Sequence, residues 1–427
     1  MNKLYYPLLD ETLYRTVLPN GLAVCVCPRP GFQRKAAYFV TNYGSIHTKF
    51  TFEGKTYRTP EGVAHYLEHK MFDLPGRDVS AEFAALGANP NAFTSYDLTA
   101  YHFTCTDNFY EALALLLEFV STPYFTDETV EKERGIISEE IAMYADAPDR
   151  RVFEDMMVDL YREHPARNPI SGSQESIQDI TPEILHLCHR AFYNPANMML
   201  CVAGDVDPEE VAQIAQRVLP KDKIAAAIPD LGEAEELKPV TAFSTRNMDV
   251  AMPMFQLGFK CALPGTLGED FARWELIGEL ACEVLFGESS ELYLHLYEDG
   301  LIDSSFGGGL DTIDGLAMLV CGGDSNDPEE AWQRIVDEAK RILAEGIEET
   351  AFNRLKKSLL GRRVKDLDSF ESTCFRLCAY HYDDYDYFRF PELFHQVSSG
   401  DVLEFLRENV VAEHSAMSVV LPKEDCQ

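Results

Sequence analysis

His65, Glu68 and His69 stand at a spacing that suits metal-assisted hydrolysis. They lie in the run Thr59-Pro-Glu-Gly-Val-Ala-His-Tyr-Leu-Glu-His-Lys-Met-Phe72. Thr59 followed by Pro60 reads as a helix start, a hydroxyl N-cap and then proline at the first helical position. Nothing interrupts the pattern before Asp73-Leu-Pro-Gly. On such a helix the two imidazoles lie one turn apart on one face, with Glu68 beside them. Two imidazoles so placed can hold one zinc ion, and the carboxylate between them can take a proton from a water held there. The order His-x-x-Glu-His inverts the commoner pattern of zinc hydrolases. Its alternative is a surface helix whose histidines cap neighbouring carbonyls.

Two histidines do not complete a zinc site, so the chain must supply a third ligand. The segment Glu131-Lys-Glu-Arg-Gly-Ile-Ile-Ser-Glu-Glu-Ile-Ala-Met-Tyr144 is the natural source. Glu133 and Glu140 are two helical turns apart and share a face. Ile137 and Tyr144 run close to that stripe, which marks it as buried, and a buried carboxylate needs a metal or a partner. Glu139 points away from the stripe and reads as solvated. Glu140 is therefore the candidate third ligand; the alternative for the pair is a solvated helix face.

The elements that must position these groups come from a chain of 427 residues, enough for two or three domains with real cores. Hydrophobic content of 46% and charged content of 25% are those of an ordinary globular protein. The formal net charge of −34 is not ordinary. It disfavours nucleic acid and anionic membrane surfaces and favours cationic ligands, although solubility alone also accounts for it. The start, Met1-Asn-Lys-Leu-Tyr-Tyr-Pro7, has no signal-like apolar run, and Ala112 to Val120 is too short to span a membrane. The 11 cysteines are an odd number scattered through apolar runs, as expected of reduced thiols in the cytoplasm.

The first half alternates strands and helices. Gly21–Cys27, Ala36–Val40, Leu98–Cys105 and Met198–Gly204 read as strands, and Asn89 to Ser95 as a turn running into the third of them. Helices are expected over 79–86, 109–120 and 127–145, the last capped by Thr126, and after Thr181. Lys221 to Pro239 reads as an acidic linker. Beyond it the order begins again, displaced by about 214 residues, which looks like an internal duplication. Glu279, Cys282 and Glu283 fall at the zinc-motif positions of the second copy, so no second zinc site is expected there. These readings give an α+β chain of two similarly folded domains, each an antiparallel sheet with helices packed on one face. The zinc-bearing domain spans 1–222, the linker 223–239 and the metal-free domain 240–427.

His65-Tyr-Leu-Glu68-His69, Asn91-Ala-Phe-Thr-Ser95 and Glu133-Arg-Gly-Ile-Ile-Ser-Glu-Glu140 together resemble the pitrilysin and insulin-degrading-enzyme family. The chain looks most like the half-length branch of the mitochondrial processing peptidase and its bacterial relatives. Further matches are Met143-Tyr-Ala-Asp-Ala-Pro148, Pro169-Ile-Ser-Gly172 and Tyr193-Asn-Pro-Ala-Asn-Met198. The resemblance implies one zinc per chain on His65, His69 and Glu140, Glu68 as general base, and Glu133 orienting a histidine ligand from behind. It implies too that Asn91, Ala92 and Phe93 begin an edge strand along which a peptide substrate adds.

One departure from the family pattern matters. Members that work alone or as homodimers carry an Arg and a Tyr, seven residues apart, in the second copy, and these steady the oxyanion. Here Tyr297 stands where the Arg belongs, and Asp303 or Ser304 where the Tyr belongs. The expectation is a zinc-dependent endopeptidase acting as the zinc-bearing subunit of a heterodimer whose homologous partner supplies that pair, with a homodimer as the other arrangement. The reading from a different class is a non-catalytic assembly subunit or peptide-binding scaffold with a structural zinc.

Overall fold

A computed structural model describes residues 1–423. It divides into two compact units. The first comprises Met1–Ile141, Pro169–Leu231 and Arg363–Arg389. Its sheet has seven strands: β1 Asn2–Tyr6, β2 Glu11–Val17, β3 Ala23–Pro28, β4 Lys35–Thr41, β5 Asn89–Thr94, β6 Thr99–Cys105 and β7 Met198–Gly204. They lie in the order β1-β2-β3-β7-β4-β6-β5, and every pair is antiparallel except β7 beside β3. Side chains alternate across such a sheet. Val24, Val26, Phe39, Tyr101, Phe103, Leu200 and Val202 enter a core shared with Leu113, Leu116 and Phe119 of the helix Phe109–Val120. Cys25 and Cys201 turn to the other face, where Cys374 and Cys378 of the helix Phe370–Tyr382 meet them.

Two helices carry the candidate site residues, α1 Val63–Met71 and α2 Asp127–Ala145. α1 begins later than Thr59-Pro60 suggests, at an N-cap formed by Gly62 with φ +87° and no capping side chain. A Cβ on Gly62 would sit 2.5 Å from the Ser171 carbonyl oxygen, so a close backbone approach sets the start of the helix. Thr59 instead donates its N–H to the Thr48 carbonyl at 2.8 Å. Thr126 does cap α2, accepting the Thr129 N–H at 3.2 Å. The stretch before β6 is not merely a turn. Asn89–Thr94 is a full edge strand, paired in register from Asn89 with Thr104 to Thr94 with Thr99.

The second unit comprises Ala142–Asn168, Gly232–Arg362 and the chain from Phe390. Its five strands are β8 Phe243–Met248, β9 Met254–Lys260, β10 Gly307–Ile313, β11 Leu316–Asp324 and β12 Ser415–Pro422. Their order, β8-β12-β9-β11-β10, repeats that of β3-β7-β4-β6-β5, down to the single parallel pair, which is the expected duplication. The helix Pro148–Leu160 packs on this sheet, with Leu160 and Met156 filling the space where a Cβ on Gly258 would lie. Thus residues 142–168 group with the second sheet and 363–389 with the first, whereas contiguous halves were expected. Each sheet has a second apolar face to bury, and the helix that covers it comes from the other half of the sequence.

The acidic segment 223–239 is tied down at defined points. Ile228–Pro229 pairs with Lys49–Phe52, and Asp230 bonds Lys49 at 2.6 Å. Glu235 accepts the backbone N–H groups of Arg162 at 3.0 Å, Glu163 at 2.7 Å and His164 at 3.0 Å, with Lys260 at 3.5 Å. Burial alone would raise its pKa, but the three amides and the Lys260 charge outweigh that and hold it at about 2. The carboxylate is therefore preferred in the folded state, and its stabilisation is fully present above the ordinary carboxylate range. It is lost as pH falls toward 2. At neutral pH Glu235→Gln is expected to cost about 2–3 kcal/mol in urea unfolding. The gap between the two proteins should close as the melts are repeated below pH 4.5. A gap that does not change with pH would contradict this account.

Candidate metal centre and active site

α1 and α2 are fixed against each other by main-chain bonds from buried side chains. The Tyr66 hydroxyl donates to the Val130 carbonyl, and the Lys70 ammonium to the Thr129 carbonyl at 3.3 Å. Both donors are fully buried. Arg134 ties the next turn of α2 to the carbonyls of Ile177 at 3.1 Å and Ile180 at 2.8 Å. With the helices so anchored, the repeat of α2 brings Glu133 and then Glu140 onto the histidine face of α1.

Glu140 Oε1 lies 3.6 Å from His65 Nε2, and its Oε2 lies 3.4 Å from His69 Nε2. One ligand atom from each of the three residues falls within 4.8 Å of the others. A tetrahedral zinc with bonds of about 2.0–2.1 Å holds neighbouring ligand atoms roughly 3.3–3.4 Å apart. The two observed spacings, each to a different oxygen of Glu140, are close to that length and too long for strong hydrogen bonds. Among the described residues this is the one cluster of His, Cys, Asp or Glu able to hold a metal ion. Two imidazoles and a carboxylate form a donor set suited to zinc that leaves one position for water. The residues fit the ion.

Glu133 Oε1 is 3.0 Å from His69 Nδ1, on the side of the ring away from Glu140. A carboxylate there fixes which ring nitrogen carries the proton and turns the other toward a metal. Burial by itself would lower the His69 pKa. The Glu133 bond and the charges of Glu68, Glu133 and Glu140 more than offset it, and the pKa is raised. So negative a surround attracts a cation. His65 has no such support, since its Nδ1 is buried without a hydrogen-bond partner. Glu139 is exposed, as its position on the helix implies.

Glu68 lies near enough to this cluster for its charge to act on His69, and it is held from behind. Its Oε2 accepts the Thr94 hydroxyl at 2.9 Å. Thr94 ends β5, the open edge of the first sheet. Asn91 is exposed on that strand, Ala92 packs partly against the core, and Phe93 makes edge contacts with His102 and Phe375 at 6.1 and 5.6 Å. The motif Asn91–Ser95 contains Thr94 but does not announce its contact with Glu68. The alternation Pro90, Ala92, Thr94 along an edge strand was the available signal.

The residues matching the oxyanion pair carry no cation. Tyr297 is exposed and stacks on Tyr293 at 6.1 Å, while Asp303 accepts the Ser305 N–H at 2.8 Å and its hydroxyl at 2.6 Å. All ten described cysteines are free and buried; Cys426 lies outside the described residues. No helix among the described residues is long and apolar enough to cross a membrane.

A duplicated α+β fold whose first copy bears an inverted zinc motif defines a class of peptidases, and comparison with known proteins identifies it. Residues 53–174 match the insulinase model of peptidase family M16, and residues 179–359 match the model of the M16 inactive domain. The chain is 37% identical to a Bacillus subtilis (strain 168) protein named as an uncharacterized zinc protease, YmfH, over 98% of both chains. The chain belongs to peptidase family M16. A crystal structure described as an M16-like peptidase of Alicyclobacillus acidocaldarius matches with a TM-score of 0.92 and 32% identity, over 97% of this chain and 99% of that one. An M16 inactive-domain structure from Pseudomonas fluorescens shares the fold at 17% identity and a TM-score of 0.80, over 96% and 98% of the two chains.

Proposed function

We propose that this chain is a zinc-dependent endopeptidase for peptides or small unfolded polypeptides, with one zinc per chain, and that it serves as the zinc-bearing subunit of a two-chain assembly. The observation that carries the reading is the convergence of His65, His69 and Glu140 next to a Glu68 carboxylate that none of them occupies. A purely structural metal site has no use for such a base. Bound zinc would supply Lewis-acid polarisation of water and of the scissile carbonyl.

The remaining work falls to the protein. His65, His69 and Glu140 hold the ion, and Glu133 orients His69. Glu68 takes the proton of the attacking water and then delivers it to the leaving amine nitrogen. β5 offers an unpaired edge, so a peptide adds as a further strand along Asn91, Ala92 and Phe93. Main-chain pairing gives affinity with little sequence demand, which suits varied unfolded substrates.

The test is hydrolysis of an unstructured peptide mixture by the zinc-loaded protein. Cleavage should vanish after chelation and return when zinc is restored at one equivalent per chain. Cleavage that survives complete metal removal would overturn the reading.

A further inference from the structure

We propose that Thr94 is a positioning residue for Glu68, so that one hairpin both receives the substrate strand and aims the general base. This rests on the peptidase reading above. Thr94 Oγ1 donates to Glu68 Oε2 at 2.9 Å, leaving the other carboxylate oxygen for the water. A hydroxyl has one proton; Thr94 spends its own on the carboxylate and Thr99 on the Tyr43 carbonyl, so the two hydroxyls meet in contact and not through a shared proton.

What lies behind Thr94 is a buried layer of hydroxyls. Thr94 and Thr99 are register partners at the closed end of the β5–β6 hairpin, with their Oγ1 atoms 3.4 Å apart. Thr99 is fully buried and anchored by a 2.8 Å bond to the Tyr43 carbonyl. The hydroxyl of Tyr193 bonds Thr99 and lies 2.9 Å from that of Tyr101. Both phenols are buried and titrate above their ordinary range, chiefly from burial, with the Glu68 charge contributing. The turn is locked by Ser95, whose N–H meets the Leu98 carbonyl at 2.8 Å and whose hydroxyl oxygen accepts the Leu98 N–H at 3.1 Å.

Thr94 is therefore held by the sheet, and it transmits that rigidity to the carboxylate. Hydrogen bonds to charged groups are strong enough that losing this one should slow the chemical step about ten- to hundredfold. Substrate affinity depends on the strand edge and should change little.

The experiment compares Thr94→Val, which keeps shape and loses the hydroxyl, with Thr94→Ser, which keeps the hydroxyl. Each full-length, zinc-loaded protein is assayed for kcat and KM on an unstructured peptide and for bound zinc. A thermal-unfolding cycle of Thr94→Val with Glu68→Ala measures the coupling without any turnover. The expected result is a kcat loss in Thr94→Val with KM within about threefold, full zinc, recovery in Thr94→Ser, and a non-additive cycle. Unchanged kcat in Thr94→Val, or additive melting shifts, would overturn the proposal. A non-additive cycle in a protein that cleaves nothing even unmutated and with an Arg/Tyr-bearing companion chain present would sink the peptidase reading, and Thr94 would keep only a structural bond.

Discussion

Glu68→Gln is expected to lower kcat by about 10²–10⁴-fold while leaving one zinc bound, because in the proposed mechanism this group moves protons and holds no metal. Glu68 stands beside the cluster of His65, His69 and Glu140 rather than within it, and its Oε2 is engaged by Thr94. Glutamine has nearly the same shape and still accepts the Thr94 hydroxyl, so fold and peptide binding should persist. A carboxylate is needed to take a proton from water, and an amide cannot do so. Metal analysis together with single-turnover cleavage separates the outcomes. Loss of zinc with loss of activity would mean that Glu68 belongs to the ligand set, and retained turnover would remove it from the mechanism.

The second large effect concerns the oxyanion. Addition of a homologous chain bearing the Arg/Tyr pair is expected to raise kcat by about 10²–10³-fold, the usual worth of a donor aimed at that oxygen. In this chain the matching residues offer no substitute. Tyr297 is exposed and stacked on Tyr293. The Ser305 hydroxyl and N–H hold the Asp303 carboxyl below its ordinary pKa, so it stays anionic. The measurement is cleavage of the same peptide by the zinc-loaded chain alone and after titration with its companion. A chain fully active alone, with no gain on mixing, would defeat the two-chain proposal.

The residues of the candidate site were legible because helical periodicity is local. An i, i+4 pair of histidines with Glu68 between them lies on one face of any helix, and Glu133 and Glu140 share a face for the same reason. Alternation exposed most strands, and the displaced repetition of elements exposed the duplication that the two strand orders share. Other features depended on partners distant in the chain. The start of α1 is set by the Ser171 carbonyl against Gly62, more than a hundred residues away in sequence. Asn89–Thr94 became a strand because β6 was there to pair with it.

The amino-acid sequence by itself determined which groups are available for chemistry and which of them share a helix face, since 3.6-residue and 2-residue periods need no knowledge of neighbours. Tertiary structure alone decided the rest. It set Glu140 at 3.4 and 3.6 Å from the two imidazoles, put Thr94 behind Glu68, and drew Glu235 of a supposed linker into three backbone amides. It also exchanged helices between the two halves of the chain. Each of these contacts joins segments that only the burial of apolar faces brings together, and burial is non-directional, so no local pattern announces its partner.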